Sequence, residues 1–180
     1  MKQLARTLTA LMLLAFVIMA AALIYLRQPV QGVVPPLPPL IGQIDRILVE
    51  KSVRRITLYQ SGTIVRSYSM ALGFAPIGDK SRQGDGRTPE GIYRINWRNE
   101  GSAYTLSLGL DYPQTEHIAH ATAGSYDPGG DIMIYGQPNA FPDAAVIKGD
   151  WTAGCIAVSN AQIREIFAAT PIGTEVEITP

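Results

Sequence analysis

A single cysteine, Cys155, stands in the segment DWTAGCIAVSN at residues 150–160. A thiolate is a strong nucleophile, and covalent capture by one splits a difficult acyl transfer into two easier steps. The residues around this sulfur suit that use. Gly154 permits a tight turn and close approach of a ligand to the backbone. The apolar run 156–158 then fixes the sulfur at the entrance of a rigid strand. So placed, the amides of Gly154 and Cys155 would point at a developing oxyanion. The other reading is a small buried hydrophobe, a common state for free cysteine, and spacing alone leaves both open. One cysteine excludes an internal disulfide framework and a cysteine-cluster zinc site, and two histidines leave little for a histidine-rich metal centre. His117 and His120 share a predicted helix at 114–122, where a solvated face competes with a role as base.

Other polar residues admit two readings each. Arg87 is suited to a substrate carboxylate, or to neutralising Asp85 or Glu90. Trp151 walls a cleft or packs beneath a loop. Asp127 and Asp131 bracket a Pro-Gly-Gly turn and read as its caps. Gln137 and Asn139 are polar loop residues at the same end of the chain.

The elements that must position these groups are mostly strands. Segments 44–50 and 54–59 are rich in β-branched residues, and Gln60-Ser61-Gly62-Thr63 supplies a turn before 64–70, which predicts a hairpin over 54–70. Residues 73–91 hold five glycines and two prolines and must form a long ordered loop. Tyr93, Ile95 and Trp97 alternate with polar residues as in a half-buried strand. Further strands are expected at 105–110, 131–135, 155–158 and 175–179. Ser159 and Gln162 make a capping box for a helix whose Ile163, Ile166 and Phe167 share a face, with Pro171 beyond its end. The class is therefore mainly β, a sandwich or barrel with a peripheral helix.

Composition separates the ends of the chain. With 47% apolar and 17% charged residues over 180, it is not a wholly disordered protein. Residues 1–42 carry Lys2, Arg6 and Arg27 and no acid, so the remainder holds 12 basic and 15 acidic residues. That balance opposes a nucleic-acid partner, which requires concentrated positive charge. From Thr7 to Leu26 no residue is charged, and as a helix this stretch reaches ~30 Å, the thickness of a bilayer core. Residues 1–28 are therefore expected to be a membrane anchor with its N-terminus in the cytoplasm, a cleaved signal segment being the alternative. Five prolines in 29–43 predict a semi-rigid spacer, and 44–180 the folded domain.

Four blocks of that domain, GDGRTPEGIY (84–93), LSLGLDYP (106–113), PGGDIMIYG (128–136) and DWTAGCIAV (150–158), resemble the YkuD-type L,D-transpeptidases, and their periplasmic murein branch in particular. The resemblance implies a β-rich transpeptidase fold with Cys155 as nucleophile and the amides of Gly154 and Cys155 as oxyanion hole. Gly136, Trp151 and Arg87 would lie at the substrate, and no metal or organic cofactor would be needed. It also implies a site in the periplasm, on an inner-membrane anchor. The substrates would be peptidoglycan stem peptides, joined through a cysteine thioester to another stem, to an envelope lipoprotein or to water. The chain departs from the family pattern at one position. Where the strand before the cysteine ends in His-Gly, this chain has Tyr135-Gly136, and Ala153 replaces a hydrogen-bonding residue. A phenol cannot deprotonate a thiol at neutral pH. Altered catalysis through Tyr135 and a non-catalytic peptidoglycan-binding module both remain open.

Overall fold

The computed structural model describes residues 15–19, 38–143 and 145–180. The expected anchor and the first part of the proline-rich spacer lie outside these residues except for 15–19, which are helical. Among the described residues no helix is long and apolar enough to cross a membrane.

Residues 39–180 form one compact unit. Its strands are β1 (Arg46–Glu50), β2 (Arg55–Gln60), β3 (Thr63–Ser69), β4 (Gly91–Asn99), β5 (Ser107–Leu110), β6 (Met133–Tyr135), β7 (Ile156–Ala157) and β8 (Glu175–Thr179). Two helices, α1 (Thr115–Ala123) and α2 (Asn160–Ala169), interrupt them. The predicted hairpin is β2–β3. Ser61 and Gly62 both take positive φ, 49° and 76°, as a two-residue turn that matches strand twist requires.

The strands make one sheet in the order β3-β2-β1-β8-β4-β5-β6-β7. Pairings are antiparallel except β1 with β8 and β6 with β7. The two ends of the sheet meet just beyond β3. Ala71 and Ala157 exchange both backbone hydrogen bonds, at 2.8 and 2.9 Å. The expected sandwich or barrel is thus one curled sheet with a short seam.

Alternation buries Ile47, Val49, Ile56, Leu58, Val176 and Ile178 on one face of β1, β2 and β8. Helix α2 closes the core with Ile163, Ile166 and Phe167, and its capping box forms as expected. At its other end Arg98 stacks 3.8 Å above Phe167 and donates to the carbonyl oxygens of Phe167 and Thr170. A cation there offsets the negative end of the helix dipole.

Three strands are shorter than expected, at 107–110, 133–135 and 156–157, and one expected inward residue turns outward. Trp97 is 37% exposed, because a register shift between Ile95 and Trp97 breaks the alternation of β4. Its indole lies over Gly109, where a side chain would meet Nε1 at 1.8 Å. Period-two reasoning fails at such a bulge.

Candidate active site

Parallel pairing of β6 with β7 sets Tyr135 opposite Ala157, and the half-buried Cys155 stands one residue before β7. The sulfur faces a cleft of about 540 Å³ lined by Tyr104, Ser107, Met133, Tyr135, Trp151 and Thr152, with Asp131 and Ala153 at its edge. The thiol donates to the carbonyl oxygen of Asp131 at 3.3 Å. The sulfur opens onto this cavity and is not sealed in hydrocarbon.

The turn carrying Cys155 is held by Thr152, which sequence reasoning missed. Its hydroxyl donates to the Cys155 carbonyl at 2.7 Å and accepts from the Gly154 amide at 3.1 Å. The available signal was a threonine two residues before a glycine, a hydroxyl-closed turn. The Gly154 N–H, one of the two expected oxyanion donors, is thus bonded within the turn. Gly154 has φ 137°, and a methyl group there would lie 2.7 Å from the Arg87 carbonyl oxygen. Only glycine fits.

Tyr135 packs with Cys155 and lines the same cleft as Thr152. Its ring stacks on Tyr104, with centroids 4.6 Å apart, and tilts against Trp151 at 5.9 Å. Burial raises the phenol well above its usual range, and proximity to Cys155 and Tyr104 adds to this. Burial likewise pushes the Cys155 thiol up to about 11, against the opposing effects of the Met133 amide and the Tyr135 hydroxyl. Both groups are therefore protonated at neutral pH.

The histidines lie elsewhere. His117 Nδ1 accepts from the Gln114 amide at 3.2 Å, and Nε2 is 3.3 Å from the Tyr93 hydroxyl. With His120 it lines a separate pocket beside Tyr112 and Glu116, so neither imidazole stands at the sulfur. Arg87 also turns away. Its guanidinium donates to the Asp79 carbonyl at 3.2 Å, while Asp85 pairs with Lys80 and Glu90 with Lys51, so neither expected acid pairs with this side chain. Gly136 is buried against Asn160, Ile163 and the Tyr104 carbonyl, an intimate packing contact and not a cleft residue. Trp151 does wall the cleft. Asp127 caps its turn through the Gly129 amide at 2.8 Å, whereas Asp131, at φ 54°, lines the cleft. Gln137 is buried and bonded to Val158 and Ile147, and Asn139 pins the Ser102–Thr105 turn. Among the described residues no cluster of His, Cys, Asp or Glu has the geometry to hold a metal ion.

The family model described as the YkuD L,D-transpeptidase catalytic domain matches residues 44–178. YafK of Escherichia coli (strain K12), named as an L,D-transpeptidase, is 30% identical over 134 residues, covering 71% of this chain and 48% of YafK. The chain thus spans about half the length of that relative. The fold is similar to that of Pgp2, a helical cell shape determining protein of Campylobacter jejuni, with TM-score 0.57 and 24% identity over 76% of this chain and 48% of Pgp2. It is also similar to Bd1075 of Bdellovibrio bacteriovorus, with TM-score 0.53 and 22% identity over 77% of this chain and 48% of the other.

Proposed function

The chain belongs to the YkuD family of L,D-transpeptidase catalytic domains, and on that premise we propose that it transfers acyl groups of peptidoglycan stem peptides through a thioester on Cys155. The observation that carries this reading is the Cys155 sulfur facing a cleft that the Tyr135 side chain packs against and also lines. A neutral phenol both accepts and donates a proton, so Tyr135 acts as a shuttle and not as a base. As sulfur attacks the scissile carbonyl carbon, the thiol proton passes to the Tyr135 oxygen and the phenol proton passes to the departing amine nitrogen. The C–N bond breaks, the amine leaves neutral, and Cys155 holds the acyl group. An amine acceptor or water resolves the thioester by the reverse proton path. The Cys155 amide is the oxyanion donor left once the Gly154 amide is bonded to Thr152.

The uncharged stretch Thr7–Leu26 supports an inner-membrane anchor holding this domain in the periplasm, through the proline-rich spacer. Stem peptides, another stem or an envelope lipoprotein as acceptor, fit that place. Replacement of the family's histidine by Tyr135 favours a second reading, a peptidoglycan-binding module without turnover. Mass spectrometry of the intact chain after exposure to a carbapenem separates the two. A covalent adduct on Cys155, absent from Cys155→Ser, supports acyl capture. No adduct at saturating dose, with sacculus binding retained by Cys155→Ser, supports the module and overturns catalysis.

A further inference from the structure

The Cys155 cleft carries charge of one sign. Among the described residues Asp131 is the one acidic side chain that lines it, and no Lys, Arg or His does so. Asp131 is exposed, so a ligand can reach it. No ion pair or hydrogen bond among the described residues engages its carboxylate, whereas Asp85, Asp143 and Asp150 hold Lys80, Arg164 and Arg54. Lys80, a cation whose charge is felt at the sulfur, is bonded to Asp85 at 2.9 Å and to the Arg82 carbonyl at 3.0 Å.

Asp131 also stands at the reacting atom. Its backbone carbonyl accepts from the thiol at 3.3 Å, with the residue held at φ 54° after Gly129 and Gly130. Its negative charge raises the thiol, so in the free protein it works against ionisation of Cys155. A cation bound beside the carboxylate would cancel that effect and gain an ion pair. An anion would meet a like charge, and a neutral group would leave the charge unanswered.

We propose that Asp131 binds a primary ammonium group of the peptide, held beside the bond that is cut or formed at Cys155. This rests on the stem-peptide reading and adds to it the charge that is recognised. Two sources present that chemistry, a side-chain amine of the acyl donor and the amine of the acceptor. When the donor supplies it, binding also removes the charge that opposes ionisation of the thiol. When the acceptor supplies it, the ammonium gives one proton to solvent and the nitrogen lone pair attacks the thioester carbonyl carbon. The C–S bond breaks, and a second proton passes from nitrogen to sulfur.

Asp131→Asn is the informative variant, because asparagine tolerates left-handed backbone and keeps the carbonyl. The full chain carrying Cys155→Ala is titrated calorimetrically with a stem tetrapeptide bearing a free side-chain amine, and with the same peptide acetylated on that nitrogen. Acetylation is expected to weaken binding about three- to fivefold at low salt and less at high salt, the worth of an exposed ion pair. Adding Asp131→Asn is expected to weaken the free-amine peptide by that factor and to leave the acetylated one unchanged. With Cys155 intact, Asp131→Asn is expected to speed alkylation by iodoacetamide near neutral pH, which a merely structural role would not do. Acyl-Cys155 formed in advance distinguishes the sources. Its aminolysis by a peptide amine, relative to that by uncharged hydroxylamine, should fall about three- to fivefold in Asp131→Asn if the acceptor is bound there, and hold if the donor is. Equal affinity for the two peptides with aminolysis also unmoved overturns the proposal. An acetylation cost that persists in full in Asp131→Asn overturns it too, by placing the ammonium elsewhere. Equal losses for both peptides in Asp131→Asn, or alkylation no faster, make the residue structural and overturn it as well. Binding of neither peptide by the parent removes the stem-peptide reading and this inference with it, whereas binding blind to the amine, with aminolysis unmoved, removes this inference alone.

Discussion

At Cys155 the chemistry turns on where two protons sit. Burial pushes the thiol up to about 11 and raises the Tyr135 phenol as well, so neither is ionised near neutrality. The thiolate fraction at pH 7 is then ~10⁻⁴, against a few per cent for an ordinary cysteine. Alkylation of Cys155 by iodoacetamide is expected to climb about tenfold per pH unit from 7 to 10 and to level off only near 11, as the thiol titrates. A plateau below pH 9 would contradict the assigned protonation. Tyr135→Phe removes a hydroxyl that lowers the thiol's value, so its alkylation should be slower at each pH. Acyl transfer should fall by ~10²-fold or more, the usual cost of losing proton transfer. Retention of transfer within about threefold by Tyr135→Phe would remove the shuttle. Tyr135→His introduces a group of pKa ~6.5 and should move the alkylation plateau towards neutral pH.

The elements around the turn work by close approach. Lys51, after β1, donates to the carbonyls of Gly78 and Thr88 and pairs with Glu90 at 2.7 Å, tying the long 73–90 loop to the sheet at both ends. In the middle of that loop the Asp85 carboxylate is half-buried. Burial alone would raise it, but Lys80 and the amides of Ser81, Arg82 and Arg87 together outweigh that and hold it at about 2. A value below that of the unfolded chain means stability that is present above about pH 4 and lost as pH falls through about 2. Asp85→Asn should therefore destabilise on the order of 2 kcal/mol at pH 7, and the deficit should vanish towards pH 2. Urea midpoints across that range measure it, and a deficit independent of pH would assign the loss to shape instead of charge. The same segment shows what sequence could and could not disclose. The hairpin, the β8 strand and the α2 helix were legible because turn chemistry, alternation and a capping box are local. Arg87 was not, since its partner is a backbone carbonyl at Asp79 and its expected acids were taken by Lys80 of the same loop and by Lys51, far off in sequence. Thr152, Ser107 and Tyr104 converge on the sulfur only once the sheet curls, and nothing periodic marks them.

Across the whole domain the curl brings the cysteine turn against the far edge of the sheet. The Ala71–Ala157 pair closes the seam beside β7, and Gly73 bridges to Thr152 three residues before the sulfur. A single carboxylate links both sides. Asp150 accepts from the Leu72 amide at 2.9 Å and takes the Arg54 guanidinium, with the Arg54 Nη2 to Asp150 Oδ2 contact at 2.8 Å. Two alanines at the seam contribute little side-chain contact, so closure depends on these polar contacts more than on the core, which is buried elsewhere in Ile47, Val49, Val176 and Ile178. Asp150→Ala leaves an amide and a guanidinium without their acceptor and is expected to cost on the order of 2 kcal/mol. Asp150→Asn retains an oxygen for Leu72 and should cost less. The diagnostic is where the loss appears. Amide hydrogen exchange should quicken at Ala71, Thr152 and Ala157 while Val49 and Val176 keep their protection, and Cys155 acylation should slow in step with the seam. Uniformly faster exchange across the sheet would mean that Asp150 supports the whole fold, and that the turn bearing the sulfur is not separately held.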